Sequence, residues 1–341
     1  MDERAANKLA SEVDKALSTA ALEGHLHVVK YLVGQGAQVE GIDNNGWTPL
    51  HAASIGGHLD VIQFLVTQGA QVDRGGNNGS IPLLGASFGG HLGVVKYLFD
   101  KGAQIDTPQK DGSTALMIAS VEGHLDVVQY LVSQGAQVER GNNANRTPLH
   151  HASSNGHLEV IQYLVTQGAQ VKRGDDDRGQ TPLHTASLNG HLDVVQYLVT
   201  KGAQVERDDN RGQTSLHAAS SNGHLDIVQY LFDKGAQIDK PAKKHGSTAL
   251  HFASLRGHLD VVQYLVIQGA QIERRDNDGN TPLLDASRNG HLDVVQYSIA
   301  QDGYPQGFGQ LKLESVWLAL PLDLTQKCNG LLIQGPWSTY F

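Results

Sequence analysis

The triplet Gly-His-Leu occurs nine times in this chain, and successive copies are 33 or 34 residues apart. A fixed period of that length is typical of repeat architectures, in which each unit is too small to fold alone and buries its apolar side against its neighbours. The sequence therefore predicts a stack of about nine similar units, although 341 residues would otherwise suggest two globular domains. The triplets begin at Gly24, Gly57, Gly90, Gly123, Gly156, Gly190, Gly223, Gly257 and Gly290.

Residues 181–202 show how one unit is expected to fold. Thr181 suits a helix N-cap, and Pro182 suits the first helical position, where no intrahelical N–H bond is lost. Gly190 can adopt a positive φ and reverse the chain, and Gly202 can end a second helix. The second helix would have one apolar stripe, formed by Leu192, Val195, Leu198 and Val199. Each unit is thus predicted to be a helix, a turn, a second helix and a loop.

This unit contains two signatures, Thr-Pro-Leu-His at residues 181–184 and Gly-His-Leu at residues 190–192. In both signatures it resembles the ankyrin repeat, and the resemblance extends over roughly residues 15–297. The resemblance implies a mainly α solenoid of about nine helix-turn-helix units with β-hairpin-like loops. It also implies that a protein partner meets the loop tips and the first helices on the concave face.

The positions of these signatures divide the chain into three segments. Residues 1–40 lack Thr-Pro-Leu-His but place Leu9, Val13 and Leu17 on one helical face, which predicts an N-terminal capping repeat. Residues 41–303 are predicted to form eight further repeats. Residues 304–341 are a non-repeat tail with Trp317 and Trp337. The sequence leaves open whether this tail is a cap, a disordered segment or a stretch out of register with the original gene.

Charge and cysteine content limit the possible classes of function. A formal net charge of −9 argues against a general nucleic-acid or anionic-membrane binder, which would need a basic stripe. The single cysteine, Cys328, excludes a disulfide within the chain and favours a reducing compartment. The first 20 residues contain no apolar signal-peptide core. The sequence also has no run of 18 apolar residues, so we expect no direct insertion into a membrane. We therefore expect a cytoplasmic protein, without excluding the nucleus.

The 17 histidines do not predict a metal or catalytic site. Nine belong to Gly-His-Leu and five to Thr-Pro-Leu-His, so like positions lie about one helix spacing apart, too far for zinc ligands. The resemblance implies that these histidines hydrogen-bond loop backbones. A catalytic triad is a single arrangement of three residues in a fold, whereas the candidate residues here recur with every unit. No Gly-rich phosphate-binding loop is present. The sequence therefore predicts that the chain is not an enzyme and that it uses no cofactor or metal.

Two departures from the repeat lead to local expectations. Ile81 stands where other units have the capping Thr, so this helix start should be weaker by about 1 kcal/mol. Asp175, Asp176 and Asp177 lack the spacing of an EF-hand loop and are expected to form a solvated loop tip.

The positions that vary between units are the candidates for partner contact. Trp47 precedes a predicted first helix, and Ile55, Phe88 and Val121 each stand two residues before a Gly-His-Leu triplet in successive units. These four side chains could form one exposed apolar patch that binds a protein. The alternative, left open by the sequence, is that they pack between units.

Later units offer a different set of candidate contacts. Leu188 is apolar at the position that corresponds to Ile55, and Asp177, Arg178 and Arg211 are charged residues of predicted loop tips. Charges at the rim of an interface mostly change association rates and partner choice. We therefore expect the apolar patch to supply affinity and the charged loop tips to adjust selectivity, with Leu188 as a further candidate contact.

The predicted function is that of a binding module or scaffold for an unidentified protein partner, acting as a monomer. Two alternatives stay open. An adaptor between membrane proteins and a cytoskeleton would need a second binding domain, and the regulatory ankyrin part of an enzyme would need a catalytic domain in a longer chain.

Overall fold

The computed structural model describes residues 3–301, with side chains from Ser11 onward. Within this range the chain forms eighteen α-helices in nine successive pairs and no strand, which confirms the mainly α repeat fold. The first helices of the pairs are α1 (Glu3–Leu22), α3 (Pro49–Gly56), α5 (Pro82–Phe88), α7 (Ala115–Glu122), α9 (Pro148–Asn155), α11 (Pro182–Asn189), α13 (Ser215–Ser221), α15 (Ala249–Arg256) and α17 (Pro282–Asn289). The second helices are α2 (Leu26–Gly34), α4 (Leu59–Thr67), α6 (Leu92–Asp100), α8 (Leu125–Ser133), α10 (Leu158–Thr166), α12 (Leu192–Thr200), α14 (Leu225–Asp233), α16 (Leu259–Ile267) and α18 (Leu292–Gln301). The tail at 304–341 lies outside the described residues.

The first helix of a pair begins and ends at the residues that the signatures indicate. In α3, Thr48 is the N-cap with extended backbone, and Pro49 occupies the first helical position. Gly57 ends the helix with φ +78°, a conformation that costs a residue with a Cβ about 1–2 kcal/mol. The glycine of Gly-His-Leu is therefore the turn between the two helices of a pair.

The second helix of a pair ends in a glycine-based cap. After α4, Gly69 has φ +96°, and the Ala70 N–H donates to the Leu65 carbonyl at 3.0 Å. This bond spans six residues and, with the Gly69 N–H donating to Val66 O, satisfies the last carbonyls of the helix. The Gly-Ala pair that follows each second helix from α2 to α16 thus turns the chain out into the loop.

The described helices fall into two compact units. The first comprises residues 3–186 and 197–203, and in it α1, α3, α5, α7 and α9 pack successively side by side, as do α2, α4, α6, α8 and α10. The second comprises residues 187–196 and 204–301, and in it α13, α15 and α17 pack successively, as do α14, α16 and α18. Both units therefore have the same two-layer arrangement of first and second helices.

The core consists of the same few positions in every pair. Leu50 and Ala53 of α3, and Ile62 and Leu65 of α4, have no exposed surface. Burying each large aliphatic side chain contributes about 1.5–3 kcal/mol. Since one pair has only a handful of such residues, its stability depends on the pairs packed on either side.

The helix start at Ile81 lacks a side-chain cap, as the sequence predicts, but it is buried. Its side chain makes no capping hydrogen bond, as expected, but it is only 1% exposed. Leu84 stands where the signature has histidine and is likewise buried. Burial of these two side chains, at about 1.5–3 kcal/mol each, offsets the lost cap of about 1 kcal/mol.

Candidate binding surface

The histidine of Thr-Pro-Leu-His joins its own helix start to the next loop. The Thr48 N–H donates to His51 Nδ1 at 3.0 Å, so this nitrogen is the unprotonated one. His51 Nε2–H therefore donates to the Ser80 carbonyl at 2.8 Å. His150 in the first unit, and His217 and His251 in the second, repeat this arrangement. The implied structural role of these histidines is confirmed.

Burial makes these histidines hard to protonate. Desolvation lowers the pKa of His150 and of His217 to about 4, and it lowers the pKa of His51 as well. A protonated ring would carry a hydrogen on Nδ1 and lose the bond from the threonine N–H. The folded pKa lies below the unfolded value of 6.5, so the unfolded chain binds more protons between pH 6.5 and 4. Stability should therefore fall as the pH falls through this window.

We predict that His150→Leu reduces the pH dependence of stability between pH 7.5 and 5. Leucine does not titrate, and Leu84 already occupies the corresponding position in another pair. The expected reduction is about 1–3 kcal/mol, although the variant is less stable at pH 7.5 because the Gln180 carbonyl loses its donor. Urea unfolding of both proteins at the two pH values measures the difference. Equal pH dependence of the parent and the variant would show that His150 does not contribute.

The histidine of Gly-His-Leu joins each pair to the preceding one. His58 Nε2–H donates to the Leu22 carbonyl at 2.8 Å, and His91 Nε2–H donates to the Ile55 carbonyl at 2.8 Å. The His91 ring also covers Gly57, because a Cβ on that glycine would lie 2.4 Å from His91 Nδ1. These contacts fix the backbone at the end of the first helix in the preceding pair.

Apart from Leu22, the residues whose carbonyls accept these bonds stand at the variable positions singled out in the sequence. Phe88 and Val121 accept from His124 and His157 in the same way, and Leu188 accepts from His224 in the second unit. We call Leu22, Ile55, Phe88 and Val121 the variable series of the first unit. Their backbones are held by the repeat, while their side chains are free to differ from one pair to the next.

A groove of about 400 Å³ lies between α1 and α3 in the first unit. Leu22, Trp47 and Ile55 form its apolar walls. Its other lining residues are Lys15, Ser18, Thr19, Asp43, Thr48 and Ala52. The volume lies within the roughly 300–1,000 Å³ of typical ligand pockets. We refer to this cavity as the α1–α3 groove.

Trp47 packs against neighbouring residues of the repeat and also lines the groove. Its ring stacks on His51, with centroids 6.5 Å apart and planes 5° apart, and it covers Gly76, whose Cβ would lie 2.6 Å from Trp47 Cδ1. Trp47 is nevertheless only half-buried and lines the groove. Its indole Nε1 is buried without a hydrogen-bond partner among the described residues. The side chain is therefore part of the packing and also part of the groove wall.

The other predicted apolar residues differ in their surroundings. Ile55 is half-buried and lines the groove together with Trp47. Phe88, the last residue of α5, is 52% exposed, and Val121 in α7 is half-buried; neither of them lines the groove. The structure brings Trp47 and Ile55 together in one cavity, and a single patch formed by all four side chains stays a prediction.

The charged residues of the loop before α11 are only partly solvated. Asp177 and Arg178 are exposed, as expected. Asp175 is not: it is 4% exposed, accepts hydrogen bonds from the Arg178 and Gln180 N–H groups, and forms an ion pair with Arg146 at 3.0 Å. The expectation of three solvated aspartates was therefore wrong for Asp175, whose carboxylate shapes the loop from inside.

The second unit contains the remaining two candidates. Leu188 of α11 is half-buried, and Arg211, in the loop before α13, is exposed. The Arg211 N–H donates to Asp209, and its carbonyl accepts from the Lys244 N–H of the following loop. Only the Arg211 side chain is thus available to a partner.

Sequence reasoning missed the contribution of α1 to the groove. Leu22 is 40% exposed and stands two residues before Gly24, which is the register that singled out Ile55, Phe88 and Val121. The signal was therefore present in the first repeat. Lys15, two helical turns before Leu22, had no such signal, because it faces the groove only once α1 packs on α3.

Among the residues that the structure describes, no three histidine, cysteine, aspartate or glutamate side chains are grouped closely enough to hold a metal ion. None of the helices in residues 3–301 has the length and apolarity required to cross a bilayer.

Pairs of helices at a spacing of 33 or 34 residues, with fixed backbones and variable side chains at the ends of the first helices, define a helical-repeat protein. A family model described as "Ankyrin repeats (3 copies)" matches residues 3–76, 83–175, 171–242 and 239–303. The chain belongs to the ankyrin-repeat family, whose members are generally protein–protein interaction modules and typically non-catalytic. A comparison with curated proteins found no match.

Proposed function

We propose that this chain is a non-catalytic module that binds a protein partner through the first unit. The observation that carries the proposal is the α1–α3 groove, in which the exposed Leu22 and the half-buried Ile55 lie beside a tryptophan. Tryptophan is enriched among the residues that dominate binding energy, and a concave apolar site with a few polar groups is typical of a binding pocket.

The proposed interface extends from this groove along the variable series. Beyond the groove, the next residue of the variable series is Phe88, whose large apolar side chain is exposed. Val121, which is half-buried, comes after it. We further propose that Leu188 contacts the partner and that the charged residues Asp177, Arg178 and Arg211 adjust partner choice. Rim charges of this kind change association rates more than affinity.

We also propose that the protein is a monomer and that it is located in the cytoplasm. A monomer in the cytoplasm agrees with the single cysteine and the net charge of −9. Roles as a scaffold or as a cytoskeletal adaptor would require a second binding partner.

We predict that the double variant Leu22→Ser, Phe88→Ala weakens partner binding at least about tenfold without unfolding the protein. Both side chains are exposed, so their loss costs little stability, whereas burial at an interface centre can be worth about 2 kcal/mol or more. Trp47→Ala is a poorer test, because Trp47 also packs on His51 and Gly76.

The affinity is measured by calorimetry on the full chain, with a partner isolated on that chain and identified by mass spectrometry. Tyr31→Ser is the matched control, because Tyr31 is 66% exposed in the same unit but does not line the groove. Equal affinity of the parent, the double variant and the control would exclude this surface as the binding site.

A further inference from the structure

The α1–α3 groove contains one cation that has no partner in the described residues. Lys15 is exposed, lines the groove and takes part in no ion pair there. The groove also contains Asp43, but Asp43 Oδ1 already accepts hydrogen bonds from the Asn45 and Trp47 N–H groups at 2.8 Å each. Of the two charged side chains that line the groove, Lys15 is thus the one whose charged group makes no hydrogen bond or ion pair to the described residues.

The apolar walls beside Lys15 are held in place before any partner arrives. His51 fixes the plane of the Trp47 ring from below, and the Ile55 side chain lies against Gly85, where a Cβ would be 2.9 Å from Ile55 Cγ1. The Leu22 backbone is fixed by His58. A pocket whose walls are already ordered loses little conformational entropy on binding, which favours the insertion of a single side chain.

We infer that the occupant of this groove is a partner segment with a large aliphatic or aromatic side chain next to a carboxylate. The apolar side chain lies between Leu22, Trp47 and Ile55, and the carboxylate pairs with the Lys15 ammonium group. The inference rests on the proposed function, to which it adds the chemistry of the recognised segment. The acidic residue is selected over a basic one because Lys15 has no ion-pair partner among the described residues, while Asp43 Oδ1 accepts two backbone N–H groups.

Three small probes with one shape and different charges test this chemistry on the full chain: 4-phenylbutanoate, 4-phenylbutanamide and 4-phenylbutylamine. Each is titrated while the indole N–H signal of Trp47 is followed by nuclear magnetic resonance, with Trp47→Phe used to assign that signal. We expect the carboxylate to bind about threefold more tightly than the amide, as for an exposed ion pair, and the amine to bind most weakly. Lys15→Gln should abolish the difference between carboxylate and amide.

Lys30→Gln is the matched control, because Lys30 lies over the Phe64 ring in the same unit and does not line the groove. This variant should retain the preference for the carboxylate. Equal binding of carboxylate and amide, tighter binding of the amine, or no response of the Trp47 signal would overturn the inference. The proposed function fails separately, through an unchanged partner affinity of the Leu22→Ser, Phe88→Ala variant.

Discussion

Replacing Leu131 by Ala is expected to lower the free energy of unfolding by about 2–5 kcal/mol, the range for fully buried leucines. Leu131 has no exposed surface and lies in α8, which packs on α7, α6 and α10. Because each pair of helices depends on its neighbours for burial, the cavity should also weaken the adjacent pairs. Urea unfolding measures the change in the free energy of unfolding, and hydrogen exchange shows which helices lose protection.

Hydrogen exchange should show reduced protection in α6 and α10 as well as in α7 and α8. Ile267→Ala is the control, since Ile267 is 74% exposed and its truncation should change stability by no more than about 0.5 kcal/mol. Reduced protection confined to α7 and α8 would show that the pairs do not depend on one another as the repeat architecture requires.

Gly123→Ala is expected to destabilise the protein by about 2–5 kcal/mol, the sum of a backbone cost and a steric cost. Gly123 has φ +80°, and a Cβ there would lie 2.5 Å from Nδ1 of His157. The ring cannot move away without losing its bond to the Val121 carbonyl at 2.7 Å.

The chain offers a matched control for the steric part. Gly135, at the other end of α8, has φ +93° but no atom within 4 Å of a Cβ. Gly135→Ala should therefore show only the backbone cost of about 1–2 kcal/mol. Equal losses in the two variants, measured by thermal or urea unfolding, would mean that the contact between the histidine ring and the glycine contributes nothing.

The helices could be predicted because their information is local and repeated. Thr48, Pro49 and Gly57 each specify a backbone conformation that the structure contains, and the same residue types recur every 33 or 34 positions. The fold follows from these recurring choices together with the apolar positions, such as Leu50 and Leu65, that must be buried.

The parts that sequence could not predict depend on contacts between pairs. Nothing local indicates that Asp175 turns inward to Arg146, 29 residues away. Capping rules indicate that Ile81 supplies no side-chain cap, but they do not indicate that its side chain is buried. The α1–α3 groove likewise exists only after two helices have packed, so Lys15 could not be placed in it beforehand.

The proposal that the α1–α3 groove receives a protein partner is tested most directly by photo-crosslinking at its rim. We would place p-benzoylphenylalanine at position 22, and at position 31 in a control, and irradiate each full-length protein with the isolated partner. We expect a crosslink from position 22 and none from position 31. An excess of the parent chain should suppress the crosslink from position 22, whereas an excess of the Leu22→Ser, Phe88→Ala chain should suppress it poorly. Equal crosslinking from positions 22 and 31, or none from position 22 while the partner still binds, would contradict the proposal.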